Sequence, residues 1–325
     1  MKYIAGFDIG GTKCAVLLAR LDKGLEILER RELATREIPD PRQAVDKMAE
    51  LAGQMAAAHG AVKLSALGIS CGGPLDVRRG VIQSPPHLPG WDDIPVNAWL
   101  EEALSAPAFL QNDANACALV EWRLGAGRGA RDMIFCTMGT GFGAGIIAEG
   151  VLLNGTAGLS GEIGHVRLEP DGPVSYGKAG SVEAYCSGDG IAALAALHTE
   201  QCLCAGYTPQ WTRDGYAPEQ VDARLAAQYA HQGDADGLEV YQQAGDKLGR
   251  TLAVLLDILN PELVVIGSIF ARAEGLLRPA MEAALAREAL PGAVRSCRVV
   301  PAQTGDRLGD YASLMVACHG MGFAL

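Results

Sequence analysis

Asp8 stands just ahead of a Gly10-Gly11-Thr12-Lys13 turn, between an apolar approach (Tyr3, Ile4, Phe7, Ile9) and an apolar exit (Ala15, Val16, Leu17, Leu18). That pattern predicts strand, tight turn, strand: a β-hairpin rather than a strand feeding a helix. Adjacent glycines let backbone N–H groups come close to an anion, and Thr12 and Lys13 place a hydroxyl and a cation beside them. A carboxylate at Asp8 can hold a Mg²⁺, or a water bound to it, against phosphate oxygens. The segment alone reads equally well as an ordinary Gly-Gly hairpin with a solvated aspartate. A second copy favours the phosphate reading, because Cys136–Ala148 (CTMGTGFGAGIIA) lies without gaps on Phe7–Ala19 and carries its own Gly139-Thr140-Gly141 turn. Two phosphate-sized hairpins, one small domain apart, predict a duplicated fold that clamps a nucleotide from both sides. Neither is a Walker or Rossmann loop, since those need a helix directly after the turn.

Other polar groups stand where a ligand could be read. Asn112-Asp113 lies between an expected strand, Ala108–Gln111, and an expected helix, Ala114–Leu124, at the usual ligand edge of an α/β sheet. Helix capping explains one of the two residues but does not need both. Glu162 and His165 lie three apart in a Gly-interrupted stretch, and Glu183 follows in GSVEAY. Each is an unremarkable surface residue by itself; three in Gly-rich loops after a phosphate hairpin suit recognition of a hydroxylated ligand, whose hydroxyls need paired donors and acceptors. The Pro-rich loop Ser84–Trp91, with His87 in it, either lines a ligand cleft or serves as a rigid connector. Cys202-Leu-Cys204 has no second Cys/His pair at zinc spacing and is read as structural.

The elements that must position these groups follow from periodicity and punctuation. Leu25–Ala34 supplies a third strand after the first hairpin. Asp40 caps a helix that opens at Pro41, carries Val45, Met48, Leu51, Ala52 and Met55 on its apolar face, and ends by Gly60. Leu67–Ser70 is a buried strand, Pro95–Leu104 a helix, Tyr241–Leu259 a long helix, Leu263–Ile266 a strand stopping at Gly267-Ser268, and Ala271–Leu290 another helix; the last helix begins near Asp310. The length of 325 residues is enough for two domains with a sizeable core. The net charge of −11 disfavours nucleic acid and anionic membrane as partners. Nine scattered cysteines, several in apolar segments, argue against a disulfide framework. There is no signal-peptide pattern at the N-terminus and no run of roughly 20 apolar residues, so a cytoplasmic location is expected.

Taken in order, the motifs Asp8-Ile-Gly-Gly-Thr-Lys13, Gly72-Gly-Pro-Leu-Asp76, Asn112-Asp-Ala-Asn-Ala116, Gly139-Thr-Gly-Phe-Gly143, Gly161-Glu-Ile-Gly-His165, Gly180-Ser-Val-Glu183 and Asn260-Pro-Glu-Leu-Val-Val-Ile-Gly267 resemble the ROK family of repressors, uncharacterised reading frames and sugar kinases. The resemblance covers nearly the whole chain. It implies an α/β, two-lobed, duplicated ribonuclease-H-like fold of the actin and hexokinase type, with a nucleotide and sugar cleft between the lobes. The small lobe would span 1–115, with a helix at about 309–325 packing back on it, and the larger lobe 116–308. It also implies transfer of phosphate from ATP, with Mg²⁺, to the 6-hydroxyl of a hexose or N-acetylhexosamine. Asp113 would be the general base. Gly73, Asn112, Glu162, His165 and Glu183, together with His87, would hold the sugar. Asp8, Gly10, Gly11, Thr12, Lys13, Gly139, Thr140 and Gly141 would surround the phosphates, and Gly267 and Gly309 would border adenosine. Lobe closure would exclude water. A homodimer is the expected assembly.

The chain departs from the family's pattern in three places. Relatives bind zinc through a Cys-x-Cys-Gly-x-x-Gly-Cys run and a histidine, whereas Val174, Tyr176 and Ser181 stand at the three cysteine positions here. No zinc is therefore expected at His165, which is left free as a sugar contact, with Val174 and Tyr176 packed inward to order the loop. His87 replaces a usual asparagine, and Gly267-Ser268 a usual Gly-Gly pair. Family repressors place a winged helix-turn-helix before the phosphate hairpin, which here starts within the first ten residues, so a kinase is expected over a repressor. A catalytically silent sugar binder would not need both hairpins and Asp113.

Overall fold

The computed structural model describes residues 2–323, with Asp306 given by its backbone alone. The chain forms two compact units. Unit 1 takes the residues up to Gly129, Leu152–Ser160 and those from Thr304 onward; unit 2 takes Ala130–Val151 and Gly161–Gln303.

Unit 1 is built on a five-stranded sheet. The hairpin Lys2–Ile9 and Lys13–Leu21 continues antiparallel into Leu25–Ala34, while Ala66–Cys71 and then Ala108–Asn112 add parallel strands on the other side. The central strands are buried along nearly their whole length, as their unbroken apolar runs require. On one face lies helix Pro41–Ala58, capped by Asp40, which accepts the Gln43 N–H at 2.8 Å; its Val45, Met48, Ala52 and Met55 are fully buried against Phe7, Val16 and Ile69. On the other lies helix Leu308–Gly320, packed on Lys2–Ile9, Ala66–Cys71 and helix Asp113–Leu124. The expected boundary at 115/116 falls inside Asp113–Leu124. Unit 1 keeps that helix whole and runs on to Gly129, because the returning chain packs against it. Residues 324–325 of the expected last helix lie outside the described residues.

The last helix sits close because Gly6 and Gly68 offer it no side chain. A Cβ at Gly68 would run into the Ser313 carbonyl and the Ala317 amide. Helix backbone cannot yield as a flexible side chain would, so Gly68→Ala should destabilise the protein by about 1–3 kcal/mol. Urea denaturation monitored by circular dichroism checks this, and an unchanged midpoint would mean that the helix is not seated there.

Unit 2 repeats the plan. Its five-stranded sheet runs in the order Val151–Leu152, Phe142–Ala148, Met133–Met138, Leu263–Ile266, Arg298–Pro301. As in unit 1, an antiparallel hairpin is followed by two parallel strands. Helices Ala235–Leu259 and Ile269–Glu288 pack along one another, with Gly188–Cys204 beside the first. Ala235–Leu259 starts six residues before the expected Tyr241, because Asp234 caps it by accepting the Gly237 N–H at 3.0 Å. Cys14, Cys71, Cys136 and Cys186 are buried as small apolar residues. Among the described residues no helix is long and apolar enough to cross a membrane.

Candidate active site

In unit 1 the turn of the first hairpin is tied down from both ends. The Gly10 N–H donates to the Lys13 carbonyl at 3.2 Å, and Thr35, just past the third strand, donates its hydroxyl to the Gly10 carbonyl at 2.6 Å and its N–H to the Thr12 carbonyl at 3.1 Å. A Cβ on Gly11 would collide with the His87 carbonyl, so the Pro-rich loop lies directly against this turn. The sequence left that loop open between cleft lining and connector; here it borders the candidate phosphate turn. Thr12 is exposed and Asp8 half-buried. Lys13 pairs with Glu32 at 2.7 Å, and Arg30 bonds both Glu32 (2.6 Å) and Asp310 (2.7 Å). Burial raises the Asp8 carboxyl to about 6, Asp113 and Asp310 push the same way, and Arg30 and Lys13 pull against them. Asp8 thus feels two further carboxylates, Asp113 and Asp310, the second of them paired with Arg30.

Asn112 and Asp113 divide their labour. Asn112 is the N-cap of helix Asp113–Leu124, accepting the Ala114 N–H at 2.9 Å. Asp113 also accepts that N–H, at 2.7 Å, yet its side chain remains open to solvent. Surrounding protein nonetheless raises its pKa above the ordinary carboxylate value; the Ala114 N–H and, further off, His87 moderate the rise. Accessibility and desolvation are compatible here: a substrate atom can reach the carboxylate while much of its solvation shell is replaced by protein. Gly73 lies beside the Asn112 amide, where a Cβ would be 3.7 Å from Nδ2. Beneath the pair, Gln111 bonds the Asn112 N–H (2.9 Å), the Asn115 amide (3.1 Å) and the Asn154 side chain (2.8 Å). Gln111 and Asn115 were not singled out from sequence; their polarity inside a buried strand–helix junction is the signal that marks them.

In unit 2 the second turn and the acidic loops also come together. The Gly139 N–H donates to the Gly141 carbonyl at 3.1 Å, and the Gly139 carbonyl accepts the Gly188 N–H at 2.7 Å. Thr140 is exposed at the tip. Glu183, in the first turn of helix Val182–Cys186, accepts the Phe142 N–H at 2.9 Å and the Ser175 hydroxyl at 2.6 Å. Its carboxylate therefore braces the second hairpin as well as facing the loops. Glu162 and His165 are exposed, 3.8 Å apart, on a short 3-10 turn whose entry is held to the hairpin by Ala144 N–H donating to the Gly161 carbonyl at 2.9 Å. Gly267 extends its strand by donating to the Cys136 carbonyl at 2.9 Å. The next residue, Ser268, sits at φ 56°, ψ −113°, a conformation easier for glycine, so the missing second glycine leaves local strain. Gly309 lies in unit 1, exposed, beside Asp310.

The loop between His165 and Glu183 differs from expectation. Val174 and Tyr176 are not inward-facing; they are 64% and 60% exposed. Val174–Ser175 and Lys178–Ala179 form a two-residue hairpin with Tyr176 (φ 48°) and Gly177 (φ 67°) at its tip, a type I′ arrangement that throws the tyrosine outward. Its ring meets the edge of His165, with centroids 5.1 Å apart. Order comes from polar contacts: Lys178 donates to the His165 carbonyl (2.7 Å), Gly180 accepts from Leu168 and Glu169, and Tyr185 donates to the Asp171 carbonyl (3.1 Å). Ser181 is buried as the N-cap of Val182–Cys186. Valine offers no donor atom and the serine oxygen is committed to the helix, so this set does not fit zinc. Arg30 and Asp310 were also missed from sequence, since only strand pairing and the returning helix bring them to Asp8. A groove of about 560 Å³ between the two long helices of unit 2, lined by Glu239, Asp246, Lys247, Pro279 and Ala283 among others, contains none of these residues.

Comparison with known proteins agrees with the fold and the motif order. The model of the ROK family matches residues 4–316. A glucokinase of Halalkalibacterium halodurans is 33% identical over 287 residues, covering 86% of this chain and 84% of its own. An N-acetylmannosamine kinase of Citrobacter koseri is 33% identical over 273 residues, covering 83% and 84%. A ROK family glucokinase from Streptomyces griseus, solved in complex with glucose and AMPPNP, superposes with a TM-score of 0.75 at 28% identity, covering 98% of this chain and 100% of its own. With its two sheets of matching strand order, the mixed α/β architecture of the ROK hexokinases, and a family match along nearly its full length, this chain belongs to the ROK family.

Proposed function

We propose that this chain is a sugar kinase that transfers the γ-phosphoryl group of ATP to the 6-hydroxyl of a hexose or N-acetylhexosamine. The observation that carries the reading is Asp113: a solvent-open carboxylate with a raised pKa at a helix start, where it shares the Ala114 N–H with the N-cap Asn112. Such a group is a stronger base than an ordinary aspartate and can be reached by a hydroxyl. Asp113 takes the hydroxyl proton as the sugar oxygen attacks phosphorus in line and ADP leaves. Asn112, Gly73 and His87 in unit 1 and Glu162, His165 and Glu183 in unit 2 hold the sugar. Asp8, Gly10, Gly11, Thr12 and Lys13, with Gly139, Thr140 and Gly141, surround the phosphates, and Gly267 and Gly309 border the adenosine. Asp8 would hold the Mg²⁺ that accompanies the nucleotide, directly or through water, and the ion would supply neutralisation of phosphate charge. The names of the relatives and the nucleotide analogue bound to the Streptomyces glucokinase support both substrate classes.

The test is ADP release from Mg²⁺-ATP with glucose, fructose, allose, mannose, N-acetylglucosamine and N-acetylmannosamine offered in turn. At least one should stimulate release well above the sugar-free rate and yield a product phosphorylated at O6. If none does, the kinase reading fails.

A further inference from the structure

In unit 2, away from every residue assigned above, three side chains of different donor type converge on one point. His198 and Cys202 are four apart on helix Gly188–Cys204 and so share a face one turn apart. Asp236 comes from the first turn of helix Ala235–Leu259. His198 Nε2 lies 2.8 Å from Asp236 Oδ1 and 3.4 Å from Cys202 Sγ, and the sulfur lies 4.0 Å from the same carboxylate oxygen. Both neighbours address one imidazole nitrogen. This is not a relay through the ring, which would need the thiol and the carboxylate on opposite nitrogens.

Asp236 is hard to explain as helix chemistry. Capping is already done by Asp234, and the Asp236 residue is only 5% exposed. Among the described residues its ion-pair partner is His198; no lysine or arginine reaches it. A carboxylate so buried costs free energy unless a positive charge or several donors compensate it. The Tyr207 hydroxyl donates to its other oxygen at 2.8 Å and fixes the direction of the first. Metal-ligating groups are held by outer partners in this way.

We propose that His198, Cys202 and Asp236 bind a borderline divalent cation such as Zn²⁺, with a fourth position open to water. Bonds to nitrogen, oxygen and sulfur of roughly 2.0–2.3 Å at tetrahedral angles place the three ligand atoms about 3.3–3.6 Å apart. The observed 2.8, 3.4 and 4.0 Å average within that range, and half-ångström side-chain adjustments in opposite senses close the difference. On binding, the Cys202 thiol gives its proton to solvent. Thiolate, carboxylate and neutral imidazole then sum to the charge that balances a dication. A thiolate in the set selects zinc-like ions over the hard Mg²⁺ that accompanies ATP. His198 and Cys202 are only partly buried, which leaves an entry path. The bound ion pins the C-terminal part of helix Gly188–Cys204 to the start of helix Ala235–Leu259. Cys204, by contrast, is exposed and takes no part. Cys202 is thus a ligand, against the reading of Cys202-Leu-Cys204 as structural, and Cys204 stands outside the site.

Full-length protein stripped with chelator and then titrated with Co²⁺ should develop a thiolate-to-metal charge-transfer band that saturates at one equivalent and is bleached by Zn²⁺. Zn²⁺ should raise the melting temperature of the wild type and of Cys204→Ser but not of Cys202→Ser, His198→Gln or Asp236→Asn. Tyr207→Phe, which keeps all three ligands, should weaken Co²⁺ binding about 10–100-fold. Absence of the band in the wild type overturns the site, and so does a band or a zinc-induced shift that survives in Cys202→Ser. If Cys202→Ser alone does not fold, His198→Gln and Asp236→Asn decide in the same way. These readouts do not depend on which sugar, if any, is phosphorylated.

Discussion

Asp113→Asn should lower kcat by about 10²–10⁴-fold while changing sugar affinity far less, because asparagine keeps the shape and cannot accept the proton. The variant should fold: the charge it removes is one that the surrounding protein disfavours. The same carboxyl sets a pH signature. Its pKa is raised in the folded protein, and the base works only when ionised, so kcat/KM should fall as pH drops through that raised value. The acid limb of the profile then lies above the ordinary aspartate range and disappears in Asp113→Asn. Asn112→Ala should act differently, costing a cap worth about 1 kcal/mol of stability and weakening sugar binding while the acid limb set by Asp113 stays in the profile. Near-normal turnover in Asp113→Asn, or an acid limb that survives in it, would show that another group takes the proton.

What the sequence revealed was what short segments decide by themselves. The alternation before and after Gly10-Gly11 and its repetition at Gly139–Gly141 specify hairpins within about fifteen residues, and both formed in register. The polar pair at 112–113 was legible because a strand end and a helix start adjoin there, and both side chains accept the Ala114 N–H at that helix start. Long-range neighbours were not legible. Arg30 meets Asp310 across 280 positions, and nothing near either residue announces the other. The compact units divide after Gly129 rather than at 115/116 for the same reason, since helix Asp113–Leu124 packs on a helix near the far end of the chain. Val174 and Tyr176, expected to face inward as packing that replaces the zinc ligands, are exposed instead. The Tyr176-Gly177 turn, whose positive φ values set it at a hairpin tip, outweighs their preference for burial.

Asp8→Asn should separate stability from function in opposite directions. At neutral pH the folded protein carries an ionised Asp8 whose pKa has been lifted from 3.8 to about 6 by burial and by its acidic neighbours Asp113 and Asp310. A raised carboxyl pKa means that the folded state holds its proton more tightly than the unfolded chain. The protonated group therefore favours folding at low pH, and that advantage is lost as pH rises from about 4 through 6. Above pH 6 the ionised carboxylate costs the ligand-free protein about 2–3 kcal/mol. Asparagine removes the charge, so the ligand-free variant should be more stable than wild type at pH 7 by about 2–3 kcal/mol, the opposing pulls of Arg30 and Lys13 being already contained in the net shift. At pH 4 the two proteins should be nearly equal. Function should move the other way. Without the carboxylate, Mg²⁺-nucleotide is held poorly, and phosphorylation should fall by about 10²-fold or more, with sugar binding by calorimetry largely intact. Thermal melts at the two pH values, paired with titrations of sugar alone and of Mg²⁺ with a non-hydrolysable nucleotide, measure each arm. A variant destabilised at pH 7 would contradict the electrostatics described for the turn. Loss of sugar binding with nucleotide binding unchanged would move Asp8 from the phosphate side of the site to the sugar side.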